Sequence, residues 1–236
     1  MKTVAFVFFI GYSFILFACS DKNQEFNAIE KAEDNVLSNV FSSAQPQELL
    51  PVPYIQWIEN PENGLTSSNT IENYTYTAFY KPLNYVVLKD LDSISVNADN
   101  FKKQIADYNG LQYYTLTIER EDGGTEELLR YDLITTEDYF ARIEYYSFKV
   151  QNDVVLLEGE DTLVCRMSHF ERAYGLQSKA KIILGFDKRK EDVSKIAEQT
   201  NLDKTLVFYD RIFGAGIVKL RIDKSVLNSI PKLKLG

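Results

Sequence analysis

Short runs of aromatic and β-branched residues, each closed by a turn signal, recur from residue 74 to residue 222, and a chain written this way has to pair strands. Tyr74 to Lys81 is such a run, and Tyr85 to Leu88 continues it beyond Pro82. Leu111 to Arg120 places Tyr114, Leu116 and Ile118 on one face, turns at Glu121-Asp122-Gly123-Gly124, and is expected to return through Leu129, Tyr131 and Leu133 as a hairpin. A second hairpin joins Asp153 to Leu157 with Thr162 to Met167 around Glu158-Gly159-Glu160-Asp161. Lys179 to Phe186 reads as a further strand, and Thr205 to Asp210 pairs with Gly216 to Ile222 across Phe213-Gly214-Ala215.

Helical spacing interrupts this pattern in four places. Asn97 to Tyr108 carries Phe101, Ile105 and Tyr108 on one face and stops at Asn109-Gly110. Thr135 with Asp138 forms a capping box that opens a short helix to about Tyr146. Glu191 to Thr200 reads as another helix. Near the start, Ile29, Ala32, Val36, Leu37, Val40 and Phe41 give an amphipathic helix over Glu25 to Phe41, whose stripe is expected to dock on the parent body. Pro46, Pro51 and Pro53 then read as an extended connector, because proline lacks a donor and fixes φ. The expectation is an α+β fold, mostly β: an antiparallel or mixed sheet, with a sandwich as one arrangement of it, and three or four short helices. The segments fall into residues 1–18, an anchor with helix and connector at 19–53, and a β-rich globular body at 54–236.

The first eighteen residues are built differently. Lys2 is followed by an apolar stretch from Val4 to Phe17, with small Ala18 ahead of Cys19, which is the layout of an export signal. The stretch falls short of the roughly 20 apolar residues that a spanning helix needs. Leu16-Phe17-Ala18-Cys19 resembles the lipobox of bacterial lipoproteins processed by the type II signal peptidase. That resemblance implies cleavage before Cys19 and acylation of it, with palmitate among the attached chains, which would tie the mature protein to a membrane. The residue directly after the cysteine is Ser20 and not the aspartate that retains lipoproteins at the inner membrane, which implies the outer membrane, and residues 20–25 loosely resemble the surface-export tag of the Bacteroidota.

Composition narrows the partners. Acidic residues outnumber basic ones by 34 to 26, and loss of Lys2 with the signal takes the formal net charge from -8 to -9. No basic block offsets it, so nucleic acid is not an expected partner. Two cysteines occur. With Cys19 acylated, Cys165 has no partner and no disulfide framework exists.

His169 is the single histidine, which excludes sites built from two imidazoles. Ser168 would point away from it on a strand. No Gly-x-Ser-x-Gly elbow, phosphate loop or dinucleotide fingerprint is present, and no cofactor or metal is expected. Glu158, Glu160 and Asp161 lack the spacing of a calcium loop and read as an acidic hairpin tip. The fifteen Tyr and fifteen Phe are expected to fill the core rather than form a sugar-stacking platform. The densest polar cluster, with His169, Glu171, Arg172 and Tyr174, is the candidate interaction surface, since Arg and Tyr are favoured in interface hot spots. Together these features point to a non-catalytic lipoprotein, tied to the outer membrane through Cys19 and serving as an accessory or scaffolding subunit for envelope protein partners. A carbohydrate or small-ligand binding lipoprotein is the alternative, and a hydrolase stands behind both.

Overall fold

A computed structural model describes residues 47–91, 97–172, 178–189, 192 and 201–235, within the compact unit Pro46–Gly236. The segment Glu25 to Phe41, the helix expected at Glu191 to Thr200, and Cys19 lie outside the described residues.

Eight antiparallel strands form one sheet: β2 (Thr66–Ile71), β3 (Tyr74–Lys81), β4 (Leu111–Arg120), β5 (Val154–Glu158), β6 (Asp161–Glu171), β7 (Lys179–Asp187), β8 (Lys204–Asp210) and β9 (Gly216–Ile222). Their spatial order is β2-β3-β4-β7-β6-β5-β8-β9. The outer strands β2 and β9 come close together, so the sheet curls into a nearly closed barrel in place of two facing sheets. Strand β6 makes the curl possible. Its first residues pair with β5 (Val164 opposite Val155), whereas Cys165 to Glu171 pair with β7 across a bulge at Arg166, and a bulge bends and twists its strand.

Alternation fills the interior. Tyr76, Ala78 and Tyr80 of β3, Leu116 and Ile118 of β4, Ile182, Leu184 and Phe186 of β7, and Leu206 and Phe208 of β8 are all buried. Tyr114 meets Phe186 edge to face at 5.6 Å between ring centroids, and Tyr76 lies 6.2 Å from Phe208. The neighbouring Tyr113 points to the other side of the sheet and lies 6.1 Å from Tyr108. Tyr113 and Tyr114 are both buried, so this adjacent pair is core, as the aromatic content suggested.

The chain enters through β1 (Glu48–Leu49), which pairs in parallel with the final strand β10 (Lys232–Leu233). It then forms α1 (Pro51–Glu59) where an extended connector was expected. The prolines do not block this helix, because they occupy its first turn, whose N–H groups have no helical acceptor in any case. The run Tyr85 to Leu88 is likewise no strand. It belongs to α2 (Leu83–Asp90), where Leu83, Tyr85, Val87 and Leu88 are buried and tertiary burial overrides strand propensity. Helix α3 (Ala98–Tyr108) starts on an Asn97 side-chain cap, and α4 (Thr136–Phe148) starts on Thr135, whose hydroxyl accepts from the Asp138 N–H at 3.2 Å. A short helix, α5 (Lys224–Asn228), follows β9.

The hairpin expected from Leu111 to Leu133 does not form. Both edges of β4 are occupied, by β3 and by β7. Leu128–Arg130 makes a single 3-10 turn instead, and Asp132 sits at φ 54. Arg142 of α4 gathers this segment by donating to the carbonyls of Tyr131 (2.9 Å) and Leu129 (3.4 Å).

Candidate functional site

At one end of the barrel the inward columns finish on charged residues. Lys204 opens β8 and Glu158 closes β5, directly opposite each other in the ladder. Each takes the inward side of its strand, next to apolar inward neighbours: Leu206 and Phe208 in one, Val154 and Leu156 in the other. The Lys204 side chain is 8% exposed and that of Glu158 2%. Lys204 Nζ donates to Glu158 Oε1 at 2.6 Å and also to Gln112 Oε1, and it stands 5.6 Å from the Tyr80 ring centroid. Arg189 Nε lies 3.8 Å from the other Glu158 oxygen and 2.9 Å from Asp192 Oδ2. The Glu158 carboxylate is therefore held between two cations. Charges buried this deeply persist only when paired and hydrogen-bonded. Outside the pair lies a cleft of about 530 Å³ bounded by Asp161, Thr162, Val164, Lys188 and Arg189.

The opposite end is closed by Asp210, itself 2% exposed. Its carboxylate accepts the Tyr76 hydroxyl at 2.6 Å and the backbone N–H groups of Ile212 (2.9 Å), Phe213 (3.1 Å) and Ala215 (3.3 Å). That set shapes the β8–β9 turn and presses Phe213 onto Tyr74, with ring centroids 4.5 Å apart. Tyr145 donates to Asp153 at 2.9 Å nearby. Burial, joined by these hydrogen bonds to carboxylates, pushes the Tyr76 and Tyr145 hydroxyls well above the ordinary phenol range, and burial alone heads the causes for Tyr146.

Neither end shows the histidine at work. His169 lies exposed on the outward side of β6 between Met167 and Glu171, opposite Ile183 of β7. The adjacent Phe170 packs against Tyr146, with centroids 5.6 Å apart. Glu171 pairs with Lys181 at 2.8 Å, and Arg172 is exposed just past the strand. Tyr174 lies outside the described residues. Glu158 points inward to Lys204 whereas Glu160 and Asp161 are exposed, so the acidic tip does not converge. Among the described residues no group of three His, Cys, Asp or Glu is placed to hold a metal.

Cys165 is buried on the inward side of β6 and bonds the Met167 carbonyl at 3.1 Å. Burial pushes its thiol up to about 11, and the thiolate is the reactive form. A water-soluble maleimide at neutral pH should therefore leave the native protein unmodified over the time in which it labels the urea-unfolded chain stoichiometrically. Rapid stoichiometric labelling of the folded protein would contradict this placement.

The outside of the barrel divides into two unlike halves. Across β2, β3 and β4 the outward residues include Ser68, Thr70, Thr75, Thr77 and Thr117, with hydroxyl pairs Ser68–Thr77 and Thr70–Thr75 at 2.9 Å, while Phe79 and Tyr113 on the same side meet Tyr85 of α2 and Tyr108 of α3. Across β6, β5, β8 and the start of β9 an apolar patch lies among Thr162, Thr205, Lys219 and Arg221. Val164, Val155 and Val207 stand side by side in register, with Leu157 one step along and Tyr209 opposite Ile217 beyond them. Ile217 is 62% exposed, Val164 48% and Tyr209 46%. Arg166, Arg211, Arg221 and Lys219 border this patch, with Arg166 held by Asp187 (2.9 Å), Arg211 by Asp153 (2.8 Å) and Arg221 by Asp203 (2.7 Å). The sequence signal for it was the unbroken apolar writing of Val154-Val155-Leu156-Leu157 and Leu206-Val207-Phe208-Tyr209, which marks strands wanting cover on both faces. The patch meets Met167 and His169 along β6, so it adjoins the cluster singled out in the sequence.

No family model and no curated protein matches the chain. Among solved structures, a protein of unknown function from Burkholderia pseudomallei is similar at a TM-score of 0.34 and 12% identity, over 77% of this chain and 93% of that one.

Proposed function

We propose that this protein is a lipoprotein anchored to the outer membrane through Cys19, and that its body is a non-catalytic accessory or scaffolding subunit that docks an envelope protein. The observation that carries the docking reading is the uncovered apolar patch with Val164, Tyr209 and Ile217 on the barrel exterior, set against a hydroxyl-lined stretch of the same sheet. A contiguous apolar patch rimmed by polar groups is the signature of a protein-binding surface. The exposed arginines around it suit a partner whose own apolar face is bordered by carboxylates, and Tyr209 and Arg are the residue types that dominate such interfaces. The anchoring reading is supported by the apolar leader and the Leu16-Phe17-Ala18-Cys19 sequence.

Two variants test the two halves of the proposal. Cys19→Ala should abolish incorporation of a labelled lipid precursor, and undiminished labelling would sink the anchor. Tyr209→Ala with Ile217→Ala should weaken binding to a purified partner, first identified by crosslinking through the wild-type patch, by about 2 kcal/mol or more. Its melting temperature should stay near that of the wild type. His169→Ala, at the border of the patch, should cost less. A complex undisturbed by the double variant would remove the patch from the interface.

A further inference from the structure

A second apolar feature lies away from this patch, along α3. Phe101, Lys102, Ile105, Ala106 and Asn109 follow one side of the helix, and with Asn84 of α2 and Leu235 they enclose a groove of about 410 Å³. Such a volume is within the range of small-molecule sites. Leu235 is fixed in place because the Lys234 N–H donates to the Leu49 carbonyl at 2.8 Å. The walls are mostly carbon, and the one charged residue that lines them is positive, Lys102, with Lys188 bonded to Asn109 at 2.6 Å at the far end. In a chain of net charge -8 this local sign favours an anion. Lys102 and Asn109 stand about two helical turns apart, roughly 10 Å, so the groove is elongated. We propose that it binds a monomeric long-chain carboxylate, with the hydrocarbon on Phe101, Ile105, Ala106 and Leu235 and the carboxylate on the Lys102 ammonium. This goes beyond the docking face and does not depend on it.

Calorimetric titration of the full chain with octanoate, decanoate and dodecanoate, each below its micelle threshold, tests the assignment. Saturable one-to-one binding is expected, with affinity rising by up to about fourfold per methylene while the chain is still being buried. Ala106 is exposed on the helix surface, so Ala106→Trp should fill the groove without unfolding the protein, and it should abolish the heat of binding at an unchanged melting temperature. Lys102→Glu should weaken dodecanoate several-fold and leave dodecanol unaffected. No saturable binding by the wild type, or equal binding by Ala106→Trp, would overturn the site. Equal binding of dodecanoate by Lys102→Glu would overturn the carboxylate assignment.

Discussion

Above about pH 10 this protein is expected to lose stability steeply and unfold in one cooperative step. Tyr76, Tyr85, Tyr145 and Tyr146 are all nearly or fully buried. Burial is the first cause raising each hydroxyl above its ordinary value of 10.0, and hydrogen bonds to Asp210, Glu59 and Asp153 raise Tyr76, Tyr85 and Tyr145 further. The folded chain keeps these protons where the unfolded chain gives them up. Their contribution is therefore complete below pH 10 and shrinks as pH rises. Once the unfolded phenols are ionised, four such groups give a slope of about 5 kcal/mol per pH unit, which consumes an ordinary domain stability of about 5–15 kcal/mol within a few units. The last phenols to ionise should do so together with the loss of far-ultraviolet circular dichroism. Ionisation of all fifteen tyrosines near pH 10 with unchanged dichroism would show that these four hydroxyls are accessible after all.

Lys204→Met should be the most damaging single change at the barrel end, at about 3–5 kcal/mol in urea unfolding, because it strips the nearer partner from a carboxylate that is 2% exposed. The double change Glu158→Leu with Lys204→Met should recover much of that loss, since an apolar pair of similar volume needs no desolvation of charge. Gln112 and Arg189 would still lose their contacts to the removed groups, so recovery should be incomplete. Additive losses in the double variant would show that the two side chains are not coupled as their geometry requires.

The strands were readable where a period-two pattern met a pairing partner of its own. Tyr74 to Lys81, the hairpin around Gly159 and the pairing of Thr205 to Asp210 with Gly216 to Ile222 all appear with at most a few residues of drift. The errors share one cause, which is that local preference does not know which neighbours are already taken. Leu129, Tyr131 and Leu133 alternate like a strand, but β7, much further along the chain, occupies the edge they would need. Tyr85 to Leu88 is rich in strand formers, yet Leu83 and Val87, one helical turn apart, bury it as a helix. At the sites, His169 stood out because it is the single histidine, and it proved exposed. The Lys204–Glu158 pair was invisible, because its members are 46 positions apart and nothing in either segment announces a facing charge. The apolar exterior was written in the sequence but looked the same as core, since exposure is a property of what fails to cover a strand.

The meeting of β1 with β10 makes the chain nearly a closed loop. Lys232 N–H donates to the Gln47 carbonyl and Lys234 N–H to the Leu49 carbonyl, so the two parallel strands lie side by side and Leu235 ends only on the order of 10 Å along the ladder from Gln47. The backbone can then be cut and rejoined elsewhere without disturbing the strand order. A short Gly/Ser bridge from Leu235 to Gln47, with new termini opened in the turn at Gly159, where φ is 61 and the residue lies at the protein surface, should give a permuted body carrying the same barrel. In that permutant a tag or tether would sit on the rim beside the Lys204 end. The orientation in which the exposed apolar patch is presented would then be a matter of where the ring is opened.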